Sequence, residues 1–213
     1  MTRPNHFENL ILCDHPLIAD ILAQLRDEKT PHFRFRTLLE EISLLIFYEA
    51  FRKAGTESQT IITPLEQMNG ARIREEVLLV PILRAGLGML NGITRLWPAA
   101  RVGMIGMYRD ESTLQPVDYY LKLPEKLGGN LVMLLDPMLA TAGSARSSLD
   151  KLKSHGADRI VMLSVISAPE GVALLRDTHP DVPVYTAALD RRLNRNGYIL
   201  PGLGDAGDRY FGV

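Results

Sequence analysis

From residue 77 onward, short apolar runs alternate with helical patterns, and this alternation constrains the fold more than any other feature of the chain. The runs at 77–83, 102–108, 131–135, 160–166 and 184–188 are apolar almost throughout. Strands covered on both faces read this way, whereas a half-exposed strand alternates. Helical patterns at 86–96, 144–154 and 170–178 follow three of the runs. Strand, helix, strand in this order predicts an α/β fold: a doubly wound, mostly parallel sheet with helices on both sides.

The N-terminal stretch reads as helical. Asp14 or His15 caps a helix that opens at Pro16, with Leu17, Ile18, Ile21, Leu22 and Leu25 on one face. A longer helix follows Pro31, with Phe35, Leu38, Leu39, Ile42, Leu45 and Ile46 as its stripe, and Gly55 ends it. This stripe suits either the core or an interface between subunits. Residues 109–126 interrupt the rhythm with two β-prone pieces flanking Gln115-Pro116, which predicts a projecting hairpin arm. The segment from 194, NRNGYILPGLGDAGDRYFGV, is glycine-rich with no periodic core face, so a shaped loop is expected there. With 213 residues, no internal repeat and no linker, one domain over 1–213 is the better reading.

Composition removes several classes of function. Lysine plus arginine number 24 against 25 acidic residues, leaving no positive surplus to hold a polyphosphate backbone. No apolar run approaches the roughly 20 residues of a membrane helix, and MTRPNHFENL has no secretory apolar core. The one cysteine, Cys13, allows no internal disulfide and no cysteine-based zinc site. A cytoplasmic protein without nucleic-acid or membrane partners is expected.

The most informative window is 131–156. An apolar strand ends in Asp136, and Thr141-Ala142-Gly143-Ser144 then leads into a helix. Ligands of open parallel sheets bind beyond the carboxyl ends of the strands. A small-residue loop at that place exposes backbone N–H groups beside a positive helix end, which suits a phosphate monoester. An ordinary strand-to-helix turn capped by Ser144 would look the same. Gly86-Leu87-Gly88, with Asn91-Gly92 beyond, imitates a dinucleotide fingerprint, but its third glycine is displaced by one residue. No Gly-Lys-Ser/Thr string of a Walker loop occurs.

The strings VPILRAGLGM (80–89), MYRDESTLQPV (107–117), LDPMLATAGSA (135–145), SAPEGV (167–172), HPDVPVYTAALD (179–190) and NGYILPGLGDAGDRYFG (196–212) together closely resemble the uracil phosphoribosyltransferases. DHPLI at 14–18 and TPL at 63–65 extend the resemblance over nearly the whole chain. One position departs: the family's loop usually reads Thr-Gly-Gly-Ser, and Ala142 stands here at the first glycine. Orotate phosphoribosyltransferases commonly carry Thr-Ala-Gly-Thr, which implies an ordinary backbone at 142. They also place two adjacent acids before the loop, where this chain has Asp136-Pro137.

The resemblance implies a type I phosphoribosyltransferase sheet and transfer of phosphoribose from phosphoribosyl pyrophosphate to uracil, giving UMP and pyrophosphate. Catalytic roles fall on Arg84, Asp136 and Asp205. Phosphoribosyl pyrophosphate would contact Arg84, Arg109, Asp136, Pro137, Met138, Leu139, Ala140, Thr141, Ala142, Gly143, Ser144 and Asp205. Uracil would lie against Tyr198, Ile199, Gly204, Asp205 and Ala206, read largely by backbone groups. Lys122 is a weaker candidate for phosphate, and Asp208 suits either the site or a pairing with a nearby arginine. Magnesium (Mg2+) is expected on pyrophosphate and ribose oxygens, with no ligand taken directly from the protein. A GTP effector acting allosterically, and a homodimer or homotetramer, are further implications. Two rivals stay open: a fold relative that binds nucleotides or RNA with little catalysis, and a transferase for another base.

Overall fold

The computed structural model describes residues 7–109 and 116–213, with Tyr108, Arg109 and Pro116 described in backbone alone. Strand β1 (Leu10–Leu12) precedes helices α1 (Pro16–Arg26) and α2 (His32–Ala50), and a hairpin of β2 (Thr56–Ile62) and β3 (Gln67–Ile73) follows. Then come β4 (Val77–Leu83), α3 (Leu87–Leu96), β5 (Arg101–Val102), β6 (Met104–Arg109) and β7 (Pro116–Lys122). Next are β8 (Leu131–Leu135), β9 (Met138–Leu139), α4 (Gly143–Ser154), β10 (Arg159–Ser167) and α5 (Pro169–Thr178). The chain finishes with β11 (Val184–Leu189), β12 (Arg192–Leu193), β13 (Ile199–Leu200) and α6 (Ala206–Phe211).

The main sheet has the order β1-β11-β10-β8-β4-β6-β7, parallel except where β7 returns against β6. Its central strands confirm the reading of two covered faces. Leu131, Met133 and Leu135 of β8 join the core under α1, α2, α3 and α6. Val132 and Leu134 join the opposite core under α4 and α5. The α2 stripe is internal: Phe35, Leu38, Leu39, Ile42 and Ile46 are fully buried within the single chain. His15 caps α1, its Nδ1 accepting the Leu17 N–H at 3.1 Å.

Several expectations need correction. The first element is a strand, since 10–12 pair in parallel with β11; three residues are too few to carry a readable period. Helix α2 stops at Ala50 and a 3₁₀ turn follows, so Gly55 starts the β2–β3 hairpin instead of ending the helix. The TPL string makes that hairpin's turn, where Thr63 Oγ1 accepts the N–H groups of Leu65 and Glu66. The C-terminal segment contains α6 as well as loop. Asp205 caps it by accepting the Asp208 N–H at 2.9 Å, and Gly212 closes it at φ 77°. Six residues cannot display a helical face, but both capping signals stand in the sequence.

Candidate active site

The carboxyl ends of β4 and β8 carry the two loops singled out above. Beyond β4, the chain passes through a cis Leu83–Arg84 peptide into a turn and α3. Gly86 is required there, because a Cβ would stand 2.5 Å from the Leu135 carbonyl oxygen and 2.7 Å from Ile82 backbone atoms. Gly88 and Gly92 let α3 close onto α2: a methyl group would overlap the Leu39 side chain at the first and the Glu40 backbone at the second. The glycines that imitate a dinucleotide fingerprint thus serve packing.

Beyond β8, Asp136 accepts the Met138 N–H at 3.3 Å. Burial, countered in part by that bond and reinforced by the nearby Asp205 charge, pushes the Asp136 carboxyl up to about 7. The loop 140–144 then enters α4. The N-cap residue of that helix makes no side-chain capping bond, and Ser144 lies inside the helix, so the alternative of a plain turn capped by Ser144 does not hold. Its N-cap is Ala142, in the left-handed region at φ 62° and ψ 10°. The ordinary backbone inferred from the orotate-type loops is therefore overturned: alanine occupies a conformation that normally calls for glycine, while Gly143 is already helical. Helix α5 supports the loop from behind through Gly171, which packs on the Ala140 carbonyl.

Two adjoining hollows share Met138 and Ala140. The smaller lies over residues 138–145 with Asp136. The larger, about 770 Å³, is lined by Arg84, Ala85, Met138, Ala140, Asn196, Gly197, Tyr198, Asp205, Ala206 and Gly207. The structure thus gathers Arg84, Asp136, the 138–144 loop, Tyr198, Asp205 and Ala206 about one cleft. Arg84 is 60% exposed, stands 3.8 Å from the Asp208 carboxylate and lies over the Phe211 ring. Asp208 therefore pairs with a neighbouring arginine, as one of its two readings had it.

Other expected residues fall elsewhere. Ile199 turns its side chain into the core, and Gly204, at φ 81°, does not line the hollow. Tyr198 offers little free backbone, because its N–H donates to Asn194 Oδ1 and its C=O accepts the Asn194 N–H. Lys122 is paired opposite Met104, at the start of β6. The Arg109 side chain lies outside the described residues, as do residues 110–115 of the arm. Sequence reasoning missed Ala85, Asn196 and Gly197; the Asn-x-Asn-Gly turn at 194–197 was a usable signal for the last two.

Comparison with known proteins agrees with this geometry. The family model described as Uracil phosphoribosyltransferase matches residues 11–213. A uracil phosphoribosyltransferase of Salinibacter ruber is 52% identical over 97% of this chain and 98% of its own length. One from Levilactobacillus brevis is 52% identical over 94% and 96%. Among solved structures, a protein from Aquifex aeolicus superposes with a TM-score of 0.91 at 36% identity, covering 96% of this chain and 98% of that one. A hypoxanthine-guanine phosphoribosyltransferase from Bacillus anthracis, at TM-score 0.51, 12% identity and coverage of 75% and 80%, shares the fold. With its cleft built at the strand ends of that fold and its sequence matched almost end to end, this chain belongs to the uracil phosphoribosyltransferase family.

Proposed function

We propose that this protein joins uracil N1 to C1′ of phosphoribosyl pyrophosphate, releasing pyrophosphate and forming UMP in pyrimidine salvage. The observation that supports it most is the meeting of two loops in one cleft. The start of α4, whose N-cap Ala142 carries no capping side chain, offers backbone donors to a phosphate, and the glycine-rich 196–207 segment faces it across Met138 and Ala140. In this reading the 5′-phosphate rests on residues 140–144. Asp136 accepts hydrogen bonds from the ribose hydroxyls, which favour its ionised form. Arg84 and Arg109 hold pyrophosphate oxygens, a task suited to the planar guanidinium fork. Uracil lies against Tyr198, Asp205 and Ala206. Catalysis comes from positioning and from stabilising the departing charge.

Magnesium belongs to the same reading, and the donor chemistry fits it. Mg2+ binds mainly through substrate oxygens and waters, so it would sit on pyrophosphate and ribose oxygens, with the Asp136 and Asp205 carboxylates adding negative charge nearby and not serving as direct ligands. Among the described residues no group of three His, Cys, Asp or Glu could hold a metal by itself. When bound, the ion would neutralise charge on the leaving pyrophosphate.

We also propose a homo-oligomer. Its support is the β2–β3 hairpin, which leaves Ile62 84% and Leu65 94% exposed, with Ile61 and Met68 beside them. Activation by GTP rests on the family resemblance alone; sedimentation and a GTP titration of the rate test these two points. The decisive experiment supplies labelled uracil, phosphoribosyl pyrophosphate and magnesium, with orotate and hypoxanthine as competitors. Labelled UMP and an equal amount of pyrophosphate are expected. Absence of UMP, or preference for another base, overturns the proposal.

A further inference from the structure

The 196–207 segment is held in shape by charge as well as by apolar packing. Asp190, immediately after β11, is 8% exposed. Its carboxylate accepts Arg26 Nη1 at 2.8 Å, Arg26 Nη2 at 2.5 Å and the Gly202 N–H at 2.9 Å. Arg26 Nη1 also donates to the Gly202 carbonyl at 2.7 Å. One ion pair therefore takes both backbone polar groups of Gly202. That residue has no slack: φ is 69°, and a Cβ would overlap the Ile199 carbonyl oxygen. Gly202 stands midway between Tyr198 and Ala206, both of which line the cleft. Neither Arg26 nor Asp190 lines it.

A second arginine grips the same junction. Arg209 Nη1 donates to the carbonyls of Leu25 and Leu203, and its Nη2 donates to that of Asp27. Leu25 and Asp27 flank Arg26, so the end of α1 and the tail are bound from both sides. The 140–144 loop is supported separately, by β8, α4 and α5.

We infer that Arg26 and Asp190 are positioning residues for the base: their ion pair fixes Gly202, and so sets where Tyr198 meets uracil, while Asp205 keeps its own place as the cap of α6 and the phosphoribosyl side is left alone. The inference rests on the reading that this segment receives uracil. A misplacement of about 1 Å caused by a distant change can cost on the order of 10²-fold, so a smaller shift of a binding group should cost about tenfold. Lysine at 26 keeps the charge but loses the fork that reaches Asp190 and Gly202 together.

The test is steady-state kinetics of Arg26→Lys and Asp190→Asn, beside Tyr198→Ala as a variant of the cleft wall. Arg26→Lys should raise KM for uracil about tenfold, with KM for phosphoribosyl pyrophosphate and kcat at saturating uracil changed by less than about threefold. An equal rise in both KM values, or no change in a folded variant, overturns the inference. If Tyr198→Ala also leaves uracil KM unchanged, the placement of uracil has failed; if it raises that KM while Arg26→Lys does not, only the positioning role has failed. Amide exchange on the unaltered protein gives a reading free of folding defects. The Gly202 N–H should be protected before uracil is added, and protection that arises only on uracil binding overturns the inference.

Discussion

Gly171 of α5 lies so close to the Ala140 carbonyl oxygen that a methyl group on its Cα would overlap that atom. The helix thereby fixes the back of the loop that opens onto both hollows. Gly171→Ala gains about 1 kcal/mol of helix propensity, yet the obstacle is a backbone oxygen that cannot rotate away, and overpacking costs roughly 1–3 kcal/mol. A net loss of stability and a several-fold higher KM for phosphoribosyl pyrophosphate are expected. Denaturant unfolding and kinetics check this; a more stable variant with unchanged kinetics would show that α5 does not set the loop.

Ala142 sets a second expectation. A left-handed alanine costs roughly 1–2 kcal/mol, while glycine there loosens the unfolded chain by about 0.4–1 kcal/mol. The strain outweighs the entropy at φ 62°. Ala142→Gly should therefore raise the thermal midpoint, and Ala142→Val, with a branched Cβ in the same conformation, should lower it. Calorimetry of both variants decides; a less stable glycine variant would mean that the residue carries no strain.

Asp136 makes stability depend on pH. Its carboxyl rises from an ordinary 3.8 to about 7 in the folded chain, chiefly through burial. The folded state then binds this proton more tightly than the unfolded state does. Its contribution is fully present below about pH 4 and is lost as pH rises through 7. Asp136→Asn removes the titration, so its unfolding free energy relative to the unaltered protein should grow between pH 4 and pH 8. Parallel pH profiles for the two proteins, without substrates, would contradict this.

Asp205 combines a cap with a charge facing the cleft. Asparagine caps helices as well as aspartate does, so Asp205→Asn should keep α6 and the bond from the Asp208 N–H. Turnover should nonetheless fall by a factor on the order of 10² to 10³, the range for a group that stabilises developing charge. Circular dichroism would confirm the fold while kcat is measured. Near-normal turnover would place Asp205 outside the chemistry.

Strands β4 and β8 were legible to the residue, because a strand buried on both faces must be apolar throughout and its neighbours in sequence say so. The loop at 140–144 was legible too: small residues between a buried strand and a helix mark the strand's carboxyl end. Helix α6, with Asp205 and Gly212 at its ends, carried its signals but was too short to show a face. The left-handed turn at Ala142, the inward side chain of Ile199 and the burial that raises Asp136 depend on what other segments bring beside them. So does the strand at 10–12, which exists through its pairing with β11. Local patterns are set by residues two to four positions apart, whereas Arg26 meets Asp190 across 164 positions, and only the packed sheet and helices bring those two together.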